Sequence, residues 1–124
     1  MSRVPEWAGR YLSIPYEECD CWRLVQRVYA AEFGIEVGGV EKQSTNMKDR
    51  EWVDVVKEGL GVREGDVVLF KTSAVNRHVG IVLNHDLMLH TVAGTNSCIE
   101  RWKSPVWDKR WVSVYRHSSE CPRT

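Results

Sequence analysis

An excess of charge of either sign, long apolar runs, abundant proline and a disulfide-type cysteine pattern are all missing from this chain. Its 124 residues carry 17 Lys and Arg against 17 Asp and Glu, a formal net charge of zero. That balance argues against a nucleic-acid partner, because binding by phosphate neutralisation needs a basic excess. No run approaches the roughly 20 apolar residues of a membrane span, so no membrane partner is expected. Residues 1–16 scatter Trp7, Tyr11, Leu12 and Ile14 among polar side chains. They form no continuous apolar segment of the secretory-signal type, which sets the expectation of synthesis in the cytoplasm without general-secretory export. Four Cys, at positions 19, 21, 98 and 121, are too few and too unevenly spaced for a disulfide framework. With 4 Pro and 9 Gly in a chain that is 43% hydrophobic and 27% charged, disorder is excluded as the main state.

What is present is enough for one packed domain over residues 1–117, burying about two-thirds of its unfolded surface, with a frayed tail at 118–124. Six Trp are expected mostly in or beside the core. After Asp20, apolar residues recur at Trp22, Val25, Tyr29 and at Leu24, Val28, Ala31, the spacing of an amphipathic helix. Asp20 is a good N-cap and Gly34 a good terminator, so a helix is predicted over 21–33. A second helix is predicted within 45–58, with Trp52, Val53 and Val56 facing inward and 34–44 as the connecting loop. From Gly65 onward the pattern shortens to β-rich runs at 67–71, 78–83, 87–92, 97–102 and 111–116. Helices first and strands after indicate an α+β domain, the strands forming an antiparallel meander or small barrel.

Cys21 is the first candidate for chemistry. It follows a capping Asp at the start of the predicted helix, where unpaired N–H groups and the helix dipole favour a thiolate over the free-Cys pKa of about 8.5. Two histidines supply the second part. If Asn84, His85 and Asp86 form a three-residue hairpin loop, Leu83 pairs with Leu87, Gly80 with His90 and His78 with Val92. His78 and His90 then become diagonal neighbours on one sheet face, with Gly80 leaving room beside them, whereas a loop one residue shorter or longer would separate them. A thiol, a base and a polar group that orients the base form a nucleophilic constellation.

These residues resemble the NlpC family of papain-like cysteine peptidases. The matching pieces are Asp20-Cys21-Trp22-Arg23-Leu24-Val25 with Val28-Tyr29 and Phe33-Gly34-Ile35, then Gly65-Asp66-Val67-Val68-Leu69-Phe70, His78-Val79-Gly80-Ile81-Val82 and Leu89-His90-Thr91, in the family's order. The resemblance implies a papain-like fold with N-terminal helices packed on an antiparallel sheet of about five strands, Cys21 as nucleophile, His78 as base and His90 as the third polar residue. It also implies that Tyr16, Trp22 and Arg23 lie at the oxyanion or substrate side, that no metal or organic cofactor is needed, and that the substrate is a peptidoglycan stem peptide cut at a γ-D-glutamyl to diamino-acid bond. Trp22 after the Cys and Ile14-Pro15-Tyr16 before it look like versions found with bacteriophage tail proteins. The expectation is therefore an enzyme carried to the cell wall as a virion tail component. Arg23 departs from the family's glycine, and Cys19 stands in a shortened stretch that usually holds glycines.

Other readings of the same residues are an amidase toxin or acyltransferase of this fold, and a tail-assembly or interaction protein whose site has decayed. Cys19 and Cys21 with His85 or His90 are zinc-type ligands but lack a second close pair, which argues against a zinc site; a Cys19–Cys21 disulfide would be strained, and Cys19 would alternatively guard Cys21 by pairing with another thiol. Cys98 is expected to be buried on a strand and Cys121 exposed in the tail. His85 and His117 are expected to be solvated. Arg101, Lys103, Lys109, Arg110 and Arg116 would form a solvated basic face or a docking surface for acidic groups.

Overall fold

The computed structural model describes residues 4–37, 52–73 and 77–120. A 3-10 turn at Glu6–Tyr11 precedes helix α1, Cys21–Val28. The Asp20 carboxylate accepts a hydrogen bond from the Arg23 N–H at 2.9 Å, which satisfies one of the unpaired donors of the first turn. Trp22, Leu24, Val25 and Val28 are buried while Arg23 and Arg27 face out, so α1 buries one stripe. The helix widens to a π turn over Tyr29–Phe33 and stops at Gly34, whose φ of 67° is open to glycine without a Cβ clash.

Six antiparallel strands form one sheet, β1 (Trp52–Asp54), β2 (Val67–Lys71), β3 (Arg77–Val82), β4 (Leu87–His90), β5 (Cys98–Arg101) and β6 (Trp111–His117). Their order is β1-β6-β2-β3-β4-β5. The middle strands are the expected meander, but β6 returns to pair with β2 and β1 adds to the far edge. A short helix, α2 (Pro105–Asp108), starts with Pro at its first turn, where a missing N–H costs nothing.

Both sheet faces are covered, which is why Val67, Val68, Leu69 and Phe70 are all buried. Val67, Leu69, Val79, Ile81 and Leu89 pack against α1 and the N-terminal turn. Val68, Phe70, Val82, Met88 and Val114 pack against Trp102 and Trp107 on the other side. Trp7, Trp22, Trp52, Trp102 and Trp107 are buried, as expected of the tryptophans.

The predicted helix within 45–58 is not formed over its described part, and 45–51 lie outside the described residues. Trp52 to Asp54 are a strand paired with Tyr115 to His117 of β6. The reason is tertiary. The Trp52 ring sits 6.0 Å from Trp22, 5.7 Å from Tyr29 and 5.2 Å from His117, an aromatic cluster that only the extended strand supplies. Val56 accordingly turns outward and Val55 is buried in its place. His117 is buried in this cluster, not solvated.

Arg116 also leaves the solvated basic face. It is buried against Asp66, its Nε 2.7 Å from Oδ1 and one terminal nitrogen 2.9 Å from Oδ2, and it donates to the Gly61 carbonyl at 2.7 Å. This pair ties the start of β2 to β6 through a bidentate fork. Arg101, Lys103, Lys109 and Arg110 remain exposed.

Candidate active site

The hairpin between β3 and β4 has the register that places the histidines together. Ile81 faces Leu89 and Val82 faces Met88, so the same count sets Gly80 opposite His90 and His78 opposite Val92. His78 Nε2 lies 2.8 Å from His90 Nδ1. A Cβ added at Gly80 would stand 2.6 Å from the Met88 sulfur and 3.4 Å from His90 Cβ, so the glycine gives both side chains their space.

The pair is walled by aromatic rings. Trp107 of α2 stacks on His78 with centroids 4.9 Å apart and meets His90 edge-on at 5.3 Å, while Phe70 lies 5.8 Å from His78. Both imidazoles are buried. Burial, and then the neighbouring His90, push His78 down to about 3. Burial lowers His90 as well, although Glu100 pulls it back toward its ordinary value.

This burial has a measurable cost in acid. The unfolded chain binds protons near the ordinary 6.5 while folded His78 stays neutral to about 3. Folding stability from this group is therefore complete above the unfolded value and falls as pH drops through that window, at ~1.4 kcal/mol per pH unit. Urea unfolding between pH 7 and pH 4 will show this slope, and His78→Gln will flatten it. An unchanged slope in the variant would place the acid loss in other groups.

Cys21 occupies the first position of α1 and is half-buried. Burial pushes its thiol above the ordinary value. A hydrogen bond from the Val79 backbone pulls the other way, the Asp20 charge raises it again, and the Trp22 and Cys21 backbone groups lower it. The expectation of a thiolate favoured by the helix start is therefore corrected: the helix terminus does hydrogen-bond the sulfur, but desolvation outweighs it. The contact with Val79 sets the thiol beside the residue that follows His78. Among the described residues, no hydrogen bond joins Cys21 Sγ to His78. The His90 contact occupies Nε2 of His78 and leaves Nδ1 as its remaining nitrogen.

Tyr16 reaches the same place from the other side. Its backbone N–H donates to the Thr95 carbonyl at 3.1 Å, and Pro15 bridges Asn96, which seats the segment before α1 along the loop after β4. Burial raises the Tyr16 hydroxyl, and the charge of Cys21 adds to it, so phenol and thiol share one electrostatic neighbourhood. Trp22 is different from its expected substrate role, because its ring is buried in the core against Trp52 and only its backbone meets the thiol. The Arg23 side chain is exposed beyond the first turn.

Cys19 is buried in the core, where burial raises its thiol, so it is not an accessible redox guard. Cys98 is exposed rather than buried because β5 is an edge strand. Cys121 lies outside the described residues. His85 is exposed at the hairpin tip. The donor set able to hold a metal among the described residues is His90, Cys98 and Glu100, with ligand atoms within 4.8 Å of one another, and it differs from the zinc set read from Cys19 and Cys21.

Glu100 was not singled out from the sequence. Its Oε1 lies 2.7 Å from His90 Nε2. The signal that could have found it is the strand register continued one step further, since Met88 faces Glu100 and His90 is its diagonal neighbour. Trp107 had no comparable signal.

A helix-terminal thiol held against Val79, next in sequence to one member of a buried imidazole pair on an antiparallel sheet, brings together the group types that thiol acyl transfer uses. Residues 5–116 match the NlpC/P60 family, and the chain belongs to that family. It is 29% identical over 119 residues to the murein DD-endopeptidase MepS/murein LD-carboxypeptidase of Escherichia coli strain K12, covering 94% of this chain and 60% of that protein. It is 27% identical over 117 residues to the peptidoglycan DL-endopeptidase CwlO of Bacillus licheniformis, covering 93% of this chain and 25% of that one. Solved structures share the fold, two from Bacillus and Staphylococcus among them. An NlpC/P60 family protein from Bacillus cereus has a TM-score of 0.68 at 18% identity, covering 93% of this chain and 41% of its own. A lipoprotein-like NLP/P60 family protein from Staphylococcus aureus has a TM-score of 0.64 at 20% identity, covering 89% and 38%.

Proposed function

We propose that this domain is a cysteine peptidase that hydrolyses peptidoglycan stem peptides, with Cys21 as nucleophile, His78 as base and His90 orienting His78. The observation that carries the reading is the 2.8 Å contact between His78 Nε2 and His90 Nδ1, with the Cys21 thiol held against Val79. Family membership and the names of the relatives support the substrate class.

In the reaction the Cys21 S–H proton passes to His78 Nδ1 as sulfur bonds the peptide carbonyl carbon. The oxyanion is stabilised by backbone N–H groups at the start of α1, with the Tyr16 hydroxyl beside it. The C–N bond then breaks and His78 returns the proton to the leaving amine. Water, deprotonated by His78, hydrolyses the thioester and restores the thiol. Because the resting thiol is raised and His78 lowered, the pair rests neutral and transfers its proton as substrate arrives. Substrate binding closes the thiol to imidazole, as catalytic hydrogen bonds in free enzymes are often long.

The bond assigned is γ-D-glutamyl to diamino acid, a D to L linkage of the kind named for the Bacillus licheniformis relative. A DD linkage is the second reading, favoured by the similarity to the Escherichia coli relative. Action at the cell wall after delivery as a bacteriophage tail component rests on Trp22 after the Cys and on Ile14-Pro15-Tyr16 before it. Digestion of a defined stem tetrapeptide and of a cross-linked dimer separates the bonds. Release of a dipeptide ending in D-glutamate from both substrates is expected. Conversion of dimer to intact monomers alone would transfer the assignment to the DD linkage, and no cleavage of either would overturn the peptidase reading.

A further inference from the structure

The imidazole pair does not end at His90. His90 Nε2 meets Glu100 Oε1 at 2.7 Å, and His90 is buried while the Glu100 side chain is 43% exposed at the sheet edge. The chain of contacts runs from Glu100 through both rings to Nδ1 of His78.

Each link has only one workable polarity. A carboxylate only accepts hydrogen bonds. His90 must therefore carry its proton on Nε2, which in a neutral ring leaves Nδ1 as an acceptor. That acceptor faces His78 Nε2, so His78 must carry its proton there, and its Nδ1 keeps the lone pair a base needs. The opposite polarity would place a proton on His78 Nδ1 and a lone pair on His90 Nε2 against the carboxylate. We infer that Glu100 is a positioning residue that sets the tautomers of both histidines and so keeps His78 Nδ1 available as the base toward Cys21, an assignment that rests on the proposed thiol chemistry. Burial favours neutral rings, the condition under which a tautomer choice exists. After proton transfer from Cys21, the His78 cation donates from Nε2 to His90, and His90 donates to Glu100, without any group having to turn.

The test is nitrogen NMR on the full chain, labelled at histidine, beside stem-peptide kinetics with a chelator present so that Cys98 and Glu100 hold no metal. Wild type will show both rings protonated at Nε2. Glu100→Ala will show mixed tautomers at His78 and His90 and lose kcat on the order of tenfold with little change in KM. That is less than the roughly 10⁴-fold loss when a group touching the base is removed. Added formate will restore part of the rate, because the vacated edge is open to solvent. Wild-type tautomers in Glu100→Ala, or a wild-type rate, would each overturn the assignment. Nε2 tautomers in a wild-type protein that cleaves no peptidoglycan would instead overturn the peptidase reading and leave the tautomer pattern standing.

Discussion

Cys21→Ala will lose stem-peptide cleavage by on the order of 10⁴-fold or more while keeping its fold. Removal of a nucleophile collapses the whole chain of proton transfers, so losses at such positions are far larger than at residues that only orient. The stability side is small because the substitution removes a single sulfur atom from a residue only partly buried at the first position of α1, and the Asp20 cap bonds Arg23, not the thiol. A change of about 1 kcal/mol or less is expected on unfolding in urea. A large loss of stability would mean that the thiol packs structurally and would remove the reason for its place beside Val79.

The second large effect is on stability. Arg116→Met will destabilise the fold by ~3–5 kcal/mol, because it leaves the Asp66 carboxylate buried without its partner. Folded domains of this size have about 5–15 kcal/mol in total, so the variant will unfold in much less urea. Arg116→Lys keeps the charge but loses the two-pronged contact with Asp66 and the bond to Gly61, and will fall between. Pairing Arg116→Met with Asp66→Leu will recover part of the loss, since no charge is then stranded. A single-variant loss under about 1 kcal/mol would show that water reaches Asp66 and that this pair does not hold β2 to β6.

These two sites differ in how far they could be read from sequence. Cys21 was legible because its signals are local: Asp20 as cap, the apolar stripe after it and Gly34 as stop lie within one helix. The histidine pair was legible because one short loop sets the register of β3 against β4, and two residues of separation on each strand do the rest. Arg116 and Asp66 lie 50 positions apart. Arg116 looked like one more surface cation, since nothing near it in sequence marks β6 as returning beside β2. The same holds for Trp52, whose local pattern suits a helix until Trp22, Tyr29 and His117 surround it.

The electrostatics of the thiol divided in the same way. A capped helix start predicts a lowered pKa, and that part of the environment is present as backbone hydrogen bonds to sulfur. Desolvation depends on what the sheet and the N-terminal segment place over the thiol, and it reverses the sign. Glu100 needed one more strand pairing, across the longer loop at 91–97, whose length does not by itself fix the register. Local order in the chain thus predicts where the thiol and the imidazole pair stand, while their protonation is set by distant packing.

The central claim is that Cys21, served by the His78 and His90 pair, cuts the peptide part of peptidoglycan. Digestion of purified peptidoglycan by wild type beside Cys21→Ala, with fragments identified by mass, tests it most directly. New stem-peptide termini in the wild-type digest, absent from the variant's, are the predicted result. The same termini in both digests, or none in either, would contradict it.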